Sequence, residues 1–341
     1  TTQYQNFGRT SNKGIEFNVD ALIVNKKDFS LSASFNIGFN KNRVEKFKNG
    51  ESNYKTYSSR WNGNSAAPFD DYIIREGEAV GQMYGYITGG MYTFDDFDYI
   101  GTGTYPYRLK GDTDGSKTEA AASLIGAKYF GPGSLKLVDK DGNIATSTDA
   151  KTVIGNANPD LIGGFNLTAR YKGFDLSAFF NFSIGNDVYN ANKIDNSCYS
   201  GSRKYNNLVE EMKNRFTYID PATGYLAYND PVRLAEINKN ATIWSPYMTT
   251  AVLHSWAVED GSFLRFNNLT LGYTFPKRWV KKLGLTNLRI YGTVYNVCVI
   301  TGYSGFDPEV STRNSTAMTP GVDYSAYPKS RSFIGGVNVS F

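Results

Sequence analysis

Histidine occurs once in this sequence, at His254, and cysteine only twice, at Cys198 and Cys298. No stretch approaches the eighteen or so uninterrupted apolar residues that a membrane-spanning helix needs. Two isolated thiols 100 positions apart make a metal site improbable, and no disulfide is readable from them alone. His254 lies in "TTAVLHSWAVEDG" without a nucleophile motif around it, so a catalytic centre has little support and an ordinary loop histidine is expected. The formal net charge of +4 is spread over interspersed signs, which is not the single basic face of a nucleic-acid binder. The first residues, "TTQYQNFGRTSNKG", hold no Met and no apolar leader, so the expectation is a chain that begins after processing or partway through a longer protein.

Aromatic residues are abundant, at 15% with 25 Tyr and 22 Phe, yet mean hydropathy is −0.41. Many rings without long apolar runs suit strands with one apolar face. Residues 12 to 24 place Ile15, Phe17, Val19, Ala21 and Ile23 on one side and Glu16, Asn18 and Asp20 on the other, a period of two. After "NKKD" the alternation resumes with Phe29, Leu31, Ala33, Phe35, Ile37 and Phe39. Residues 164 to 189 repeat the hairpin about a "YKGF" turn, where Gly173 is expected to supply a permissive backbone. A third pair spans 262 to 275 and 286 to 297. Its apolar register shifts between Phe266 and Leu269, which predicts a β-bulge at Asn267 and Asn268. The last strand, 330 to 341, keeps Phe341 in phase with Phe333, Val337 and Val339, as expected if the terminal strand closes a barrel.

Seven strands are therefore predicted, joined by connections of two kinds. Residues 25 to 28, 172 to 173 and 276 to 285 are short; 47 to 162, 190 to 261 and 298 to 329 are long. Antiparallel strands put all short connections at one end and all long ones at the other, as in outer-membrane barrels. The runs also match the 9 to 11 or so residues that cross a bilayer. A soluble or surface-attached β-sandwich that binds glycans is the alternative, because its outward rows are polar too.

The stretch from Trp256 to Ser311, with "EDGSFLR" and "GFDPEVS", resembles the C-terminal barrel of SusC/RagA-type TonB-dependent outer-membrane transporters of Bacteroidetes. "REGEAVGQMYGYITGGMY", "GNANPDLIGGFNLTARYKGFDLSAFFNFSIGNDVYN" and "YPKSRSFIGGVNVSF" extend the resemblance over most of the chain. It implies an all-β fold: the C-terminal third, about seven strands, of a transmembrane antiparallel barrel of about 22 strands. The three long connections become extracellular loops, and the plug and its TonB-contacting segment fall outside residues 1 to 341. The implied function is import of oligosaccharides or peptides with a SusD-like lipoprotein in the outer membrane, with no enzymatic role and no cofactor. Val297, Cys298 and Val299 depart from the aromatic or Thr-rich segment usual before "YSGFDPE".

Loop aromatics among polar neighbours are the substrate-binding candidates: Trp61, Tyr84, Tyr86, Tyr92, Trp244 and Tyr247. Asp139, Asp141 and Asn143 form a candidate weak calcium turn, although Ile144 and Ala150 stand where a complete loop has Gly and Glu. Within 203 to 216, the spacing of Leu208, Met212 and Phe216 predicts a short helix. "PKRWVKKLGL" reads as a short turn with Lys277, Arg278, Lys281 and Lys282 in water; Trp279 and Phe341 are the expected interface anchors against outer-membrane lipid.

Overall fold

A computed structural model describes residues 8–47, 52–61, 70–199, 207–312 and 317–341. Its frame is one antiparallel sheet of seven strands in chain order: β1 (Gly8–Asn25), β2 (Phe29–Phe47), β3 (Leu161–Tyr171), β4 (Phe174–Ile184), β5 (Phe263–Thr274), β6 (Asn287–Thr301) and β7 (Ser332–Ser340). All seven predicted strands are present. Among the described residues the sheet does not close on itself, so β1 and β7 are its two edges.

The predicted bulge is real. Phe179 and Phe180 of β4 face Asn268 and Phe266, leaving Asn267 extra on β5, while on the other side Phe266 pairs with Cys298 and Asn268 with Tyr295, so that Asn296 and Val297 of β6 stand against Asn267. Sequence alone missed a second irregularity, between Leu22 and Val24, which sets Val24 rather than Ile23 opposite Leu31. The "YKGF" turn also differs in detail. Lys172 takes the positive φ, 50°, and Gly173 is needed for space, since a Cβ there would sit 2.6 Å from the Thr274 carbonyl oxygen.

One face of the sheet is apolar across its whole width. Phe35 lies opposite both Val19 and Phe165, Phe165 opposite Phe180, and Phe180 opposite Phe266. The last three rings stack, with centroids 4.4 and 4.2 Å apart. Phe17, Ile290 and Val337 on this face remain exposed. A β-sandwich would bury that face on a second sheet, and among the described residues none packs there. The other face is polar and internally paired: Arg289 binds Asp175 through two hydrogen bonds of 2.9 and 2.5 Å, and Thr270 meets Thr293 at 2.9 Å.

The hydrophobic core lies in the long connections instead. Tyr72, Met83, Tyr86, Phe130, Tyr189, Met212, Tyr218 and Leu234 are buried together in a cap at the long-connection end of the sheet. A small sheet of Asp187–Asn190 between Val258–Asp260 and Val322–Asp323 ties the second connection to the third, and bridges of Tyr86 with His254 and Ala127 with Met248 tie the first to the second. Loops this long stay ordered only with a core of their own. The β1–β2 hairpin runs up to join this cap, where Val44 and Phe47 pack on Ile74. In the predicted helical segment, Glu210–Asn214 forms a single 3₁₀ turn with Met212 buried, and residues 203–206 fall outside the described residues. Two helices, Ser116–Ile125 and Pro231–Ile237, had no expectation. Cys198 is buried in the cap and Cys298 exposed on the apolar face.

Candidate functional site

The bulge in β5 organises the junction between wall and cap. Across from it Asn296 adopts a left-handed backbone, φ 52°, and its amide accepts from Arg265 Nη1 at 2.9 Å while donating to the Lys329 carbonyl at 2.9 Å. Arg265 is 2% exposed, and its Nη2 donates to Asp307 Oδ1 at 2.6 Å. Its Nε stands 3.2 Å from Glu309 Oε2, an ion-pair contact without hydrogen-bond alignment, and Lys329 Nζ donates to the same carboxylate oxygen at 2.6 Å. "FLR" and "GFDPE" thus meet as one clamp that pins the connection after β6 over the polar face.

Two recesses bear on the cap. One, of about 760 Å³, lies where the polar face meets the cap, lined by Glu16, Asn18, Asn36 and Asn181 from the wall and by Asp187 and Glu309 from above. Burial, with Asp260 nearby, raises the Asp187 pKa above the usual carboxylate value, against the Asn156 N–H that donates to it at 2.8 Å. The second, of about 520 Å³, lies inside the cap between Asn190, Lys193, Ser304, Phe306 and Asp323.

A polar network backs the second recess. Lys193 Nζ sits 3.2 Å from Glu259 Oε1 and 4.3 Å from the centre of the Trp256 ring. Ser304 donates to Glu259 through N–H and hydroxyl, both at 2.9 Å, and Tyr303 donates to Asp323 Oδ2 at 2.6 Å. Burial works to raise the Glu259 pKa, but the Ser304 donors and Lys193 outweigh it and hold the carboxyl low. Burial, and then the bond to Asp323, raise Tyr303 well above an ordinary phenol. Parallel pairing puts Asn190 beside Asp323. Each has a buried Oδ1 without a donor among the described residues, so this wall offers acceptors to a ligand bearing hydroxyl or N–H groups.

The six aromatic candidates divide by burial. Trp61, Tyr86, Tyr92 and Trp244 are at most 3% exposed and belong to the cap core, which corrects the expectation of ligand-facing rings. The indole N–H of Trp61 donates to the Tyr189 hydroxyl at 2.5 Å, Tyr92 packs edge-on to Phe97 and Phe130, and Trp244 packs on Trp256. Tyr84 and Tyr247 are half-buried: Tyr84 lies under Arg75 and Lys151, and Tyr247 packs against Tyr129 and Tyr199. A loop this size needs a core, and its rings are the side chains that supply it.

Asp139, Asp141 and Asn143 form a closed turn. Asp139 Oδ1 accepts from the Asp141 and Asn143 N–H groups at 2.9 and 2.8 Å, and the Asn143 amide donates to Oδ2 at 3.1 Å. Asp139 thus uses both carboxylate oxygens within its own turn, and the Asp141 carboxylate accepts from the Lys140 ammonium at 3.0 Å. Among the described residues no three His, Cys, Asp or Glu side chains converge as a metal site requires. His254 is buried, stacked on Trp256, with Nδ1 2.8 Å from Thr88 Oγ1; burial and then Lys193 push its pKa down to about 3. Trp279 and Phe341 are exposed at the short-turn end.

Sequence reasoning missed Asp187, Asn190, Lys193 and Asp323. The usable signal was that "NDVYN" and "VEDG" flank strand ends on either side of one long connection, where cap strands were to be expected. Another buried carboxyl, Asp71, accepts from Ser59 N–H and Oγ at 2.7 and 2.5 Å, and burial still raises its pKa to about 6. It holds its proton above pH 3.8, where an opened cap would lose it, so ionisation weakens the cap as pH rises from about 4 to 6. Asp71→Asn is expected to abolish that slope, about 3 kcal/mol in full, in hydrogen exchange of the Ser59 and Tyr84 amides against pH.

No family model matches the chain. It is 31% identical, over its whole length, to a TonB-dependent receptor of Formosa agariphila, of which it covers 30%. It is 25% identical over 99% of its residues to the TonB-dependent receptor SusC of Bacteroides thetaiotaomicron, covering 27% of that protein. The chain thus spans about a third or less of the curated relatives it matches. The fold is similar to the RagAB peptide importer in its open-open state, with a TM-score of 0.68 at 22% identity, over all of this chain and 30% of that one.

Proposed function

We propose that this chain is part of a SusC/RagA-type TonB-dependent receptor of the outer membrane and forms wall, lumen lining and external cap of an importer for oligosaccharides or peptides. The apolar face of the sheet meets lipid and the polar face meets the lumen. The long connections lie outside the cell, as extracellular loops. The observation that carries the reading is the recess pair: acceptor-rich hollows sit where a cap with its own core is clamped over the polar face. A solute held there is already at the lumen mouth. Sugars and peptides both present the hydroxyl or N–H donors that Asn190 and Asp323 are left to receive.

In the whole protein, loading from a SusD-like surface lipoprotein and TonB-driven movement of the plug supply delivery and energy. This segment contributes binding and passage, and no catalytic role is assigned to it. The test is purification of the polypeptide carrying this chain from a detergent-solubilised outer membrane. The expected mass is somewhat over three times 37.9 kDa, because the chain spans 30% of its relative, with an acylated lipoprotein co-purifying. In the same preparation Phe306→Ala, an exposed ring on the second recess, is expected to weaken oligosaccharide or peptide binding about ten-fold by calorimetry while leaving the fold intact. A soluble, unaccompanied chain of 37.9 kDa would sink the reading.

A further inference from the structure

The three short turns carry charge of nearly one sign. Lys26 and Lys27 lie in the first, Lys172 in the second, and Lys277, Arg278, Lys281 and Lys282 in the third, against a single acid, Asp28. These turns hold a net +6, so with +4 for the chain the remainder is −2: all the positive balance sits at this rim. The turns are also continuous in space. Lys172 N–H donates to the Asp28 carbonyl at 2.9 Å, Thr274 N–H to Gly173 at 2.8 Å, and Thr286 N–H to Ser340 at 2.8 Å. All seven cations are exposed, and none is in an ion pair among the described residues. The acid just inside the rim, Asp175, is already taken by Arg289.

Trp279 sets the depth of this rim. It projects from the helical turn Lys277–Val280, half exposed, with Arg278 over its ring at 5.8 Å and Phe275 beside it at 6.5 Å. An indole at the end of an apolar wall marks the headgroup layer, and cations beside it stand level with lipid phosphates. We infer that the short-turn rim is a binding surface for anionic phospholipid headgroups of the adjoining leaflet. The third turn, with four cations in six residues, is its centre. The inference rests on the wall spanning the bilayer. Its occupant is lipid because the cations border the apolar face, where no aqueous polymer would sit beside Trp279.

The test is quenching of Trp279 in the full-length receptor reconstituted in phosphatidylcholine vesicles with phosphatidylglycerol. Either lipid carries brominated chains, and Trp279→Phe supplies the background. Brominated phosphatidylglycerol is expected to quench about five-fold more per mole than brominated phosphatidylcholine at low ionic strength, less at high salt. The ratio should fall to near one in the variant K277Q/R278Q/K281Q/K282Q and part-way in K26Q/K27Q, with no change in K239Q, an exposed lysine of the cap. Equal quenching by both lipids in the wild type overturns the headgroup site and keeps the spanning wall. Quenching by neither overturns the spanning wall, and the headgroup site with it.

Discussion

Arg265→Ala is expected to free the connection after β6 from the wall. The substitution leaves Asp307, 4% exposed, as a buried carboxylate with only the more distant Lys329 ammonium, 3.9 Å away, and removes the donor that fixes Asn296 opposite the bulge. Breaking a buried pair from one side costs about 3–5 kcal/mol, whereas replacing both partners by apolar groups of similar volume is near neutral. Hydrogen exchange at Glu309, Thr312 and Tyr324, whose amides are bonded within this connection, should accelerate by about 150-fold or more in the intact receptor, the factor for 3 kcal/mol. The double variant R265M/D307L should restore most of that protection. Unchanged exchange in Arg265→Ala would mean that the cap core alone holds the connection. Lysine cannot replace the clamp, because one ammonium cannot fork to Asp307, Glu309 and Asn296 together.

His254→Gln should remove an acid-triggered loosening of the cap. The imidazole is neutral in the folded cap down to about pH 3, while an opened cap would take up a proton near 6.5. The open state then binds the extra proton throughout that window, so stability falls as pH drops from 6.5 and the loss is complete near 3. The full span of 3.5 units corresponds to about 5 kcal/mol. Asp71 works in the opposite direction between 3.8 and about 6, so the two slopes offset each other there and the histidine prevails below it. Emission from Trp244 and Trp256, which flank the imidazole, reports the opening. Wild-type receptor should shift toward solvent-exposed emission below about pH 4. Glutamine at 254 keeps an acceptor for Thr88 and has no titration, so its emission should stay flat; a parallel shift in both proteins would assign acid loosening to other groups.

The membrane frame was legible because a strand exposes one side chain in two to each surroundings, and lipid on one side with water on the other writes that period directly into the residues. Phe17 with Glu16, or Phe165 with Asn166, needs no distant partner to be read. The bulge was legible for the same reason, as a slip in the period between Phe266 and Leu269. Short connections were easy, since two or three residues between alternating runs allow few paths. Even so, the need for Gly173 comes from how closely the Thr274 carbonyl approaches, while the positive φ falls on Lys172.

The cap gave no such signal. Its core is assembled from residues as distant as Trp61, Tyr189 and Tyr324, whose rings meet only after three connections have folded over one another. A tyrosine that packs such a core and one that faces a ligand are the same letter in the sequence, which is why Trp61, Tyr86, Tyr92 and Trp244 were read as binding rings. Asp139 met the same fate on a smaller scale: its oxygens had takers in its own turn. What the sequence by itself determined was the wall, its two faces, its bulge and the charge of its short turns, because local periodicity against two solvents suffices for these. Only the tertiary structure decided the cap core, the Arg265 clamp and the unpaired acceptors of Asn190 and Asp323, because each depends on contacts between segments that no local pattern couples.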